Sequence, residues 1–230
     1  YRQRIKPSSK DSFMIKNLIQ VAASAFPGFE NLVVIDEMLK GCDGYIATGS
    51  DNSARYFEQY FSKYPHIIRK NRTSVAVLDG NESQEQLEAL ADDVQLYFGL
   101  GCRNVTQVLV PKEYDFVPLL TALRKYNHYR DHEKYRNNFD YQLTIAIMNN
   151  RFYMSNDSIV LLKNESPFSP ISQLHYQYYT DKTAAVAALD KNKIQCLVGK
   201  GFIPFGDAQK PGLKDFPDGI NTMEFLSSIT

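Results

Sequence analysis

The chain has 230 residues, 43% of them hydrophobic and 23% charged, which is the composition of an ordinary globular protein with one large core or two smaller ones. Its 26 basic and 26 acidic side chains cancel, so the overall charge gives no indication of nucleic-acid binding. No apolar stretch approaches the roughly 20 residues of a membrane span, and the N-terminal sequence is not that of a signal peptide. The three cysteines are widely scattered, which argues against a disulfide framework and favours a cytoplasmic protein.

The first part of the chain alternates predicted helices and strands. A strand-to-loop transition over residues 1–7 is followed by a helix over 12–26 with Asp11 as its N-cap, and then by a buried strand over 32–35. A short helix over 37–40, a strand over 44–47 and a helix that ends near Phe61 come next. Such alternation predicts parallel βαβ units. Because the chain starts with Tyr1 and not with Met, we expect an upstream portion.

The pattern restarts at Thr73. Strands are predicted over 74–78, 105–110, 159–162, 174–179 and 194–198, and helices over 115–126 and 181–189. Ser83 and Gln86 have the spacing of a capping box before a helix with an apolar face. The polar and aromatic stretch 127–138 is expected at the surface, and the tail from Gly201 is expected to be an extended loop. These elements predict an α/β fold with two units, residues 1–72 and 73–230.

The segment from Tyr97 to Arg103 contains the strongest candidate for a reactive side chain. A helix ends in Gly99-Leu100-Gly101, Cys102 follows at once, and a β-rich run begins at Val105. Small residues let a substrate carbonyl approach the thiol closely, and the neighbouring Arg103 is expected to favour the nucleophilic thiolate. A buried, inert cysteine is the alternative for any single thiol.

Two further motifs precede it. Lys6-Pro7-Ser8-Ser9 follows a predicted strand and could direct an ammonium group toward hydroxyls or a phosphate, although a surface turn explains it as well. Thr48-Gly49-Ser50 lies between a predicted strand and a predicted helix, where backbone N–H groups and hydroxyls suit a pyrophosphate. Helix capping by Ser50 is the competing explanation for this second motif.

Taken in order, these motifs resemble the aldehyde dehydrogenase superfamily. The resemblance implies that Lys6, Ser8 and Ser9 lie at the adenosine ribose, that Thr48, Gly49 and Ser50 lie at the pyrophosphate, and that Cys102 is the catalytic thiol. More narrowly, residues 46–57 and 97–105 are similar to the LuxC-type acyl-CoA reductases. The implied fold is aldehyde dehydrogenase-like, with part of a Rossmann-type cofactor domain in residues 1–72 and an α/β catalytic domain in residues 73–230.

Departures from the family pattern refine the expected reaction. The position of the family's water-activating glutamate falls on Ile68, which cannot act as a base. Exchange of the acyl group with a thiol such as coenzyme A is therefore favoured over oxidation of an aldehyde to an acid, because thiols ionise more readily than water. Many relatives have a glutamate in place of Ser9; its absence, with Lys6 and Lys10 nearby, favours NADPH, and NADH stays open. The predicted reaction is reduction of a fatty acyl-CoA to the aldehyde through an acyl-cysteine. The family's oxyanion asparagine would lie upstream of Lys6.

A third departure concerns the ribose of the nicotinamide. The family's Glu-x-Phe-Gly-Pro element corresponds to residues 165–170, where Phe168 aligns and either Glu165 or Ser166 takes the ribose-binding position. The expected partners are an acyl thioester substrate, a second copy of the chain, and an enzyme that supplies the acyl group or consumes the aldehyde; no nucleic-acid partner is expected.

The four histidines show no spacing typical of metal ligands, and no metal site is predicted. Two other functions stay open. The first is a cysteine acyltransferase or thioesterase, for which His66 or His175 would have to reach the thiol of Cys102. The second is a non-catalytic, cofactor-binding remnant.

Overall fold

The computed structural model of the chain describes residues 2–8 and 12–229, which form a mixed α/β fold. The α-helices are α1 (Phe13–Ala25), α2 (Asp51–Phe61), α3 (Gln84–Gln95), α4 (Val117–Leu123), α5 (Glu133–Met148), α6 (Lys182–Ala187) and α7 (Thr222–Ser228). The strands are β1 (Gln3–Ile5), β2 (Val33–Ile35), β3 (Tyr45–Thr48), β4 (His66–Arg69), β5 (Thr73–Val77), β6 (Val105–Pro111), β7 (Tyr153–Ser155), β8 (Val160–Lys163), β9 (Gln173–Tyr179) and β10 (Ile194–Gly199).

Strands β5 to β10 form the main sheet, in the order β10-β5-β6-β9-β8-β7. Neighbouring strands are parallel except for the edge pair β7 and β8. Parallel neighbours require crossover connections, and α3 makes the connection between β5 and β6. The predicted α/β class and its parallel βαβ units are therefore confirmed.

The two faces of β5 are buried under different helices. Ala76 and Leu78 belong to the larger core, which lies beneath α3 and α4, whereas Val75 and Val77 pack under α6. Successive side chains of a strand point to opposite faces, so Ser74 at the amino end of β5 points toward the α3 side. Each fully buried leucine of this core, such as Leu90, stabilises the fold by about 1.5–3 kcal/mol.

The first 72 residues contribute two small sheets and not strands of the main one. β1 pairs with β2 and β3 pairs with β4, both in parallel. β4 ends at Arg69 and β5 begins at Thr73, and the predicted boundary at residue 72 stays a prediction. Asp11, the predicted N-cap of α1, lies outside the described residues.

Two local predictions in this part are wrong. The segment over residues 32–35 was predicted to be a buried strand, but Val33 is buried while Val34 and Ile35 are 52% and 43% exposed. The two-stranded sheet has no further layer of described residues over this side of β2. Residues 37 and 38 form a bend, and residues 39 and 40 have no regular structure, in place of the predicted short helix over 37–40.

The stretch 127–138 lies mostly at the surface, as predicted, and it is helical: a 3-10 helix over Arg124–Asp131 and the sixteen-residue α5 run through it. Tyr135 within it is buried, as are Tyr126 and Phe139, which flank it. The tail from Gly201 likewise contains α7. Within the described ranges, no helix has both the length and the apolar composition needed to cross a membrane.

Candidate active site

Cys102 lies on a tight turn between α3 and β6. The turn runs from Gly101 to Asn104 and is closed by the backbone N–H of Asn104, which donates to the carbonyl of Gly101 at 3.0 Å. The thiol is exposed. Across residues 2–8 and 12–229, neither the thiol nor the backbone N–H of Cys102 has a hydrogen-bond partner. Both groups are therefore free to interact with a carbonyl substrate.

Asn104 holds this turn in place, and the sequence analysis did not identify it. Its side-chain oxygen accepts from the N–H of Gly101 at 2.8 Å. Its amide nitrogen lies 3.0 Å from the carbonyl of Asp93 and 2.9 Å from that of Leu96, at the end of α3. The last carbonyls of a helix have no partner within the helix, and this fully buried amide supplies one. A turn-forming asparagine three residues after Gly101 is the sequence signal for this role.

The chain reaches the turn through a strained segment. Tyr97 and Phe98 have φ angles of 56° and 60°, in the left-handed region that side chains avoid. Such residues cost about 1–3 kcal/mol each and persist only when their surroundings hold them. The Phe98 ring packs at 4.4 Å from the ring of Tyr129 and 5.1 Å from that of His132. This aromatic packing holds the backbone in the conformation that leads into the Cys102 turn.

Arg103 contacts the C-terminal segment of the chain. Its guanidinium donates to the carbonyl of Ala208 at 3.2 Å. Asp93 of α3 accepts from the N–H groups of Gly206 at 2.6 Å and of Ala208 at 3.0 Å. Burial raises the pKa of Asp93 to about 6, against the lowering effect of these two hydrogen bonds. The segment over residues 206–208 is thus attached directly beside the thiol turn.

The loop that contains Glu165, Ser166 and Phe168 is attached to β6 and β9. The side-chain nitrogen of Gln107 lies 3.0 Å from the carbonyl of Asn164, and Nδ1 of His175 donates to the carbonyl of Ser166 at 2.8 Å. The Ser166 hydroxyl accepts from the N–H of Phe168 at 3.2 Å and is used within the loop. Glu165 is exposed, and its carboxylate has no partner among the described residues. The assignment of Glu165, Ser166 and Phe168 to a ribose site stays a prediction.

Thr48-Gly49-Ser50 connects β3 to α2, as predicted. Ser50 is the N-cap of α2, and its hydroxyl accepts from the N–H of Ser53 at 3.3 Å. This contact is the helix capping that was the competing explanation for Ser50. A Cβ on Gly49 would meet Cβ of Ser53 at 2.8 Å, which explains why glycine allows the loop to pack on the helix. Thr48 is exposed at the end of β3, beside Arg69 of β4.

The predicted site residues are only partly brought together. Arg69 is paired with Thr48, and the Ser74 hydroxyl bonds the carbonyl of Cys102. The four residues between Arg69 and Ser74 allow a separation of about 18 Å at most between these two residues. Lys6 and Ser8 lie exposed after β1 in a different small sheet, and Ser9 lies outside the described residues. The roles of Lys6, Ser8 and Ser9 at an adenosine ribose stay predictions.

Neither histidine proposed as a base contacts Cys102. Nδ1 of His66 pairs with the carbonyl of Tyr64 at 2.8 Å, and its Nε2 faces Glu58 at 3.6 Å. Nδ1 of His175 donates to the carbonyl of Ser166, and burial lowers the pKa of the His175 ring. Over the described ranges, no group of three or more His, Cys, Asp or Glu side chains is arranged to hold a metal ion.

Comparison with solved structures shows that the fold is aldehyde dehydrogenase-like. Neither a family model nor a curated protein matches the sequence. Residues over 81% of the chain superpose on the aldehyde dehydrogenase KauB from Pseudomonas aeruginosa, with a TM-score of 0.60 at 13% identity and 47% coverage of that chain.

Other matches show the same partial overlap. The aldehyde dehydrogenase of Mycobacterium tuberculosis complexed with NAD+ matches 81% of this chain and 48% of its own, with a TM-score of 0.58 at 15% identity. Staphylococcus aureus AldH in a substrate-bound state matches 100% of this chain and 55% of its own, with a TM-score of 0.59 at 16% identity. The chain therefore spans about half the length of these structures, and at such identities the likeness shows the fold alone.

Proposed function

We propose that this chain carries the nucleophile and part of the cofactor site of an NADPH-dependent acyl-CoA reductase. The reaction is reduction of a fatty acyl thioester to the aldehyde through a covalent acyl-cysteine. The observation that supports it is the exposed Cys102 on a hydrogen-bonded turn, with a free N–H beside its thiol, in an aldehyde dehydrogenase-like fold. NADH is the alternative cofactor.

Cys102 acts first as a nucleophile. Its thiolate attacks the thioester carbonyl, and the backbone N–H of Cys102 donates to the oxyanion that forms. Coenzyme A leaves as a thiol, and the acyl group stays on the sulfur as a new thioester. When bound, a reduced nicotinamide dinucleotide would supply the hydride that reduces the acyl carbon. The thiohemiacetal on Cys102 then expels the thiolate and releases the aldehyde.

Ile68 supports reduction of a thioester over hydrolysis to an acid. It lies in β4, paired with Ala47 of β3, at the position where the family resemblance expects a water-activating glutamate. An aliphatic side chain cannot remove a proton from water, and water is a far weaker acid than a thiol. The acyl-cysteine is therefore protected from hydrolysis while it awaits reduction.

The β3–α2 connection fits a dinucleotide pyrophosphate in its donor set. The first turn of α2 presents backbone N–H groups, and Thr48 is exposed and adds a hydroxyl. We assign Lys6, Ser8 and Ser9 to the adenosine ribose and its phosphate, and Glu165, Ser166 and Phe168 to the nicotinamide ribose. We also propose that the enzyme self-associates and exchanges acyl groups or aldehyde with a partner enzyme.

The decisive experiment mixes the full-length protein with a panel of acyl-CoAs and either NADPH or NADH. Loss of the reduced cofactor is followed by its absorbance, and the acyl-enzyme is trapped and weighed by mass spectrometry. We expect Cys102→Ala to lower turnover at least about 1000-fold and to abolish the acyl adduct. Cys42→Ala is the matched control, because Cys42 bonds only the carbonyl of Lys40 at 3.8 Å; its turnover should stay within about twofold of the wild type.

Three outcomes would overturn this function. Undiminished turnover by Cys102→Ala would exclude the acyl-cysteine mechanism. Acyl transfer to water or another acceptor without any nicotinamide would identify a cysteine acyltransferase or thioesterase. Binding of NADPH without acylation by any acyl-CoA would identify a non-catalytic cofactor-binding protein.

A further inference from the structure

A buried hydroxyl lies directly beneath the Cys102 turn. The Ser74 Oγ donates to the backbone carbonyl of Cys102 at 3.1 Å and lies 3.0 Å from the sulfur of Cys196. Ser74 is fully buried on β5, and Cys196 is on the neighbouring β10. Ser74 also donates its backbone N–H to the carbonyl of Asn104 at 3.1 Å. One serine therefore contacts the turn at two points.

The hydrogen count sets the direction of these contacts. A serine hydroxyl has one proton and two lone pairs. Because that proton goes to the carbonyl of Cys102, the S–H of Cys196 is the donor to Ser74. Burial raises the pKa of Cys196, which keeps this sulfur protonated. The result is a chain of hydrogen bonds from Cys196 through Ser74 to the peptide group that follows Cys102.

This chain determines which backbone groups face the substrate. In a planar trans peptide the N–H and the C=O point in opposite directions, so the N–H of Arg103 points away from Ser74. Over the described part of the chain, the backbone N–H groups of Cys102 and Arg103 both lack an acceptor. Two adjacent free N–H groups beside an exposed thiol are suited to bind a developing oxyanion.

We propose that Ser74 is a positioning residue for Cys102 and that Cys196 directs the Ser74 hydroxyl. The hydrogen bond from Ser74 prevents rotation of the peptide between Cys102 and Arg103 and so keeps the N–H of Arg103 available as a second oxyanion donor. This inference rests on the proposed thioester chemistry and deepens it. Ser74 and Cys196 act through the turn and do not touch the substrate.

The test measures acylation of the full-length protein by an acyl-CoA without nicotinamide, by rapid quenching and mass spectrometry. We expect Ser74→Ala to slow acylation about 10- to 100-fold, with KM for the acyl-CoA within about twofold. Alkylation of Cys102 by iodoacetamide needs no oxyanion donor. At each pH from 6 to 9, its rate in Ser74→Ala should differ from that in the wild type by less than threefold. This split separates a positioning role from general loosening of the fold.

Matched variants complete the design. Ser158→Ala removes a fully buried hydroxyl away from the turn, which donates to the side-chain oxygen of Asn156 at 3.1 Å, and should leave acylation within about threefold. Cys196→Ala should slow acylation about three- to tenfold, and Cys196→Ser, which keeps a donor, should restore the wild-type rate. If Ser74→Ala does not fold, Ser74→Cys keeps the side-chain volume with only a weak donor.

The outcomes that overturn the inference differ from those that overturn the function. Acylation by folded Ser74→Ala within threefold of the wild type, or a parallel fall in acylation and alkylation, would show that Ser74 does not position the turn. Equal rates for Cys196→Ala and wild type would remove Cys196 from the chain of hydrogen bonds. Absence of acylation in the wild type itself, by contrast, would reject the proposed function.

Discussion

At the scale of single residues, Asp93 is the clearest case of a polar group placed by tertiary contacts. It is fully buried in α3, and its carboxylate accepts from the N–H groups of Gly206 and Ala208. No cation among the described residues pairs with it. The cost of removing the Asp93 carboxylate from water therefore outweighs the stabilisation of its charge by the two hydrogen bonds, and the pKa of Asp93 rises to about 6.

This raised pKa predicts a dependence of stability on pH. The folded state binds the proton of Asp93 more tightly than the unfolded state does, so its contribution to the free energy of unfolding is fully present below about pH 4. That contribution, about 3 kcal/mol, is lost as the pH rises through 6. Urea denaturation at pH 4, 5, 6 and 7 would measure it as the difference between wild type and Asp93→Asn, which stays uncharged.

The exposed Asp157 provides the control for this titration, because Asp157→Asn should follow the pH dependence of the wild type within about 0.5 kcal/mol. A constant difference between wild type and Asp93→Asn from pH 4 to 7 would contradict the assignment of the pKa. The position of Asp93 could have been noticed in the sequence, because it is three residues after Leu90 on the apolar face of α3. Its hydrogen-bond partners, more than 100 residues away, could not.

At the scale of elements, α3 connects the local and the distant parts of the site. It begins at the predicted capping box, in which the N–H of Gln86 donates to the Ser83 hydroxyl at 3.3 Å and the N–H of Ser83 donates to the Gln86 side chain at 2.9 Å. It ends at the carbonyls held by Asn104. The predicted capping box is confirmed. The sequence could show it because it depends only on two residues three positions apart.

Loss of the cap should weaken the whole helix. Ser83→Ala leaves the N–H of Gln86 without its partner, and we expect the free energy of unfolding to fall by about 1 kcal/mol. Ser227→Ala is the control, because the Ser227 hydroxyl bonds only the carbonyl of Met223 within the exposed α7, and we expect a change below about 0.5 kcal/mol. Chemical denaturation at one pH measures both. Equal stability of Ser83→Ala and the wild type would contradict a structural role of the cap.

Helix α5 was not predicted from the sequence, for a reason that its composition shows. In α5 the buried Tyr135 and Phe139 alternate with charged residues, and the stretch therefore has the composition of a polar surface segment. The rings are buried because β8 and the strained Phe98 segment lie against them. Tertiary packing thus selects a helix where the local pattern of hydrophobic residues was too weak to indicate one.

At the scale of the whole molecule, the C-terminal segment ties the first part of the chain to the main sheet. Asp218 lies between Arg69 and Arg72, with its oxygens 3.8 Å and 3.4 Å from their Nε atoms, and all three side chains are less than 20% exposed. Arg69 also donates to the hydroxyl of Thr222 at 2.8 Å. The side chain of Ile229 packs where a Cβ on Gly44 would lie. Arg69 and Arg72 therefore make an internal contact between the two parts of the chain.

Removal of the Asp218 carboxylate should weaken the contact between the C-terminal segment and the arginines Arg69 and Arg72. Asp218→Ala leaves two neighbouring guanidinium groups without their counter-charge, and we expect the free energy of unfolding to fall by about 2–4 kcal/mol. The segment over residues 201–229 should also become sensitive to limited proteolysis under native conditions. Asp190→Asn weakens an exposed pair with Lys193 and should change stability by less than about 1 kcal/mol. Unaltered proteolysis of Asp218→Ala would show that other contacts hold the segment.

The sequence by itself determined the α/β class, the strands other than β4 and β7, the capping box of α3 and the glycine-flanked position of Cys102. These features depend on side-chain periodicity and on residues a few positions apart, which a linear chain displays directly. Only the tertiary structure decided the sheet order, the burial of Asp93, and the contact of Ser74 with Cys196, which are 122 residues apart. The environment of the thiol is made by β5, β10 and the C-terminal segment together, and no local pattern records which distant residues the folded chain brings beside it.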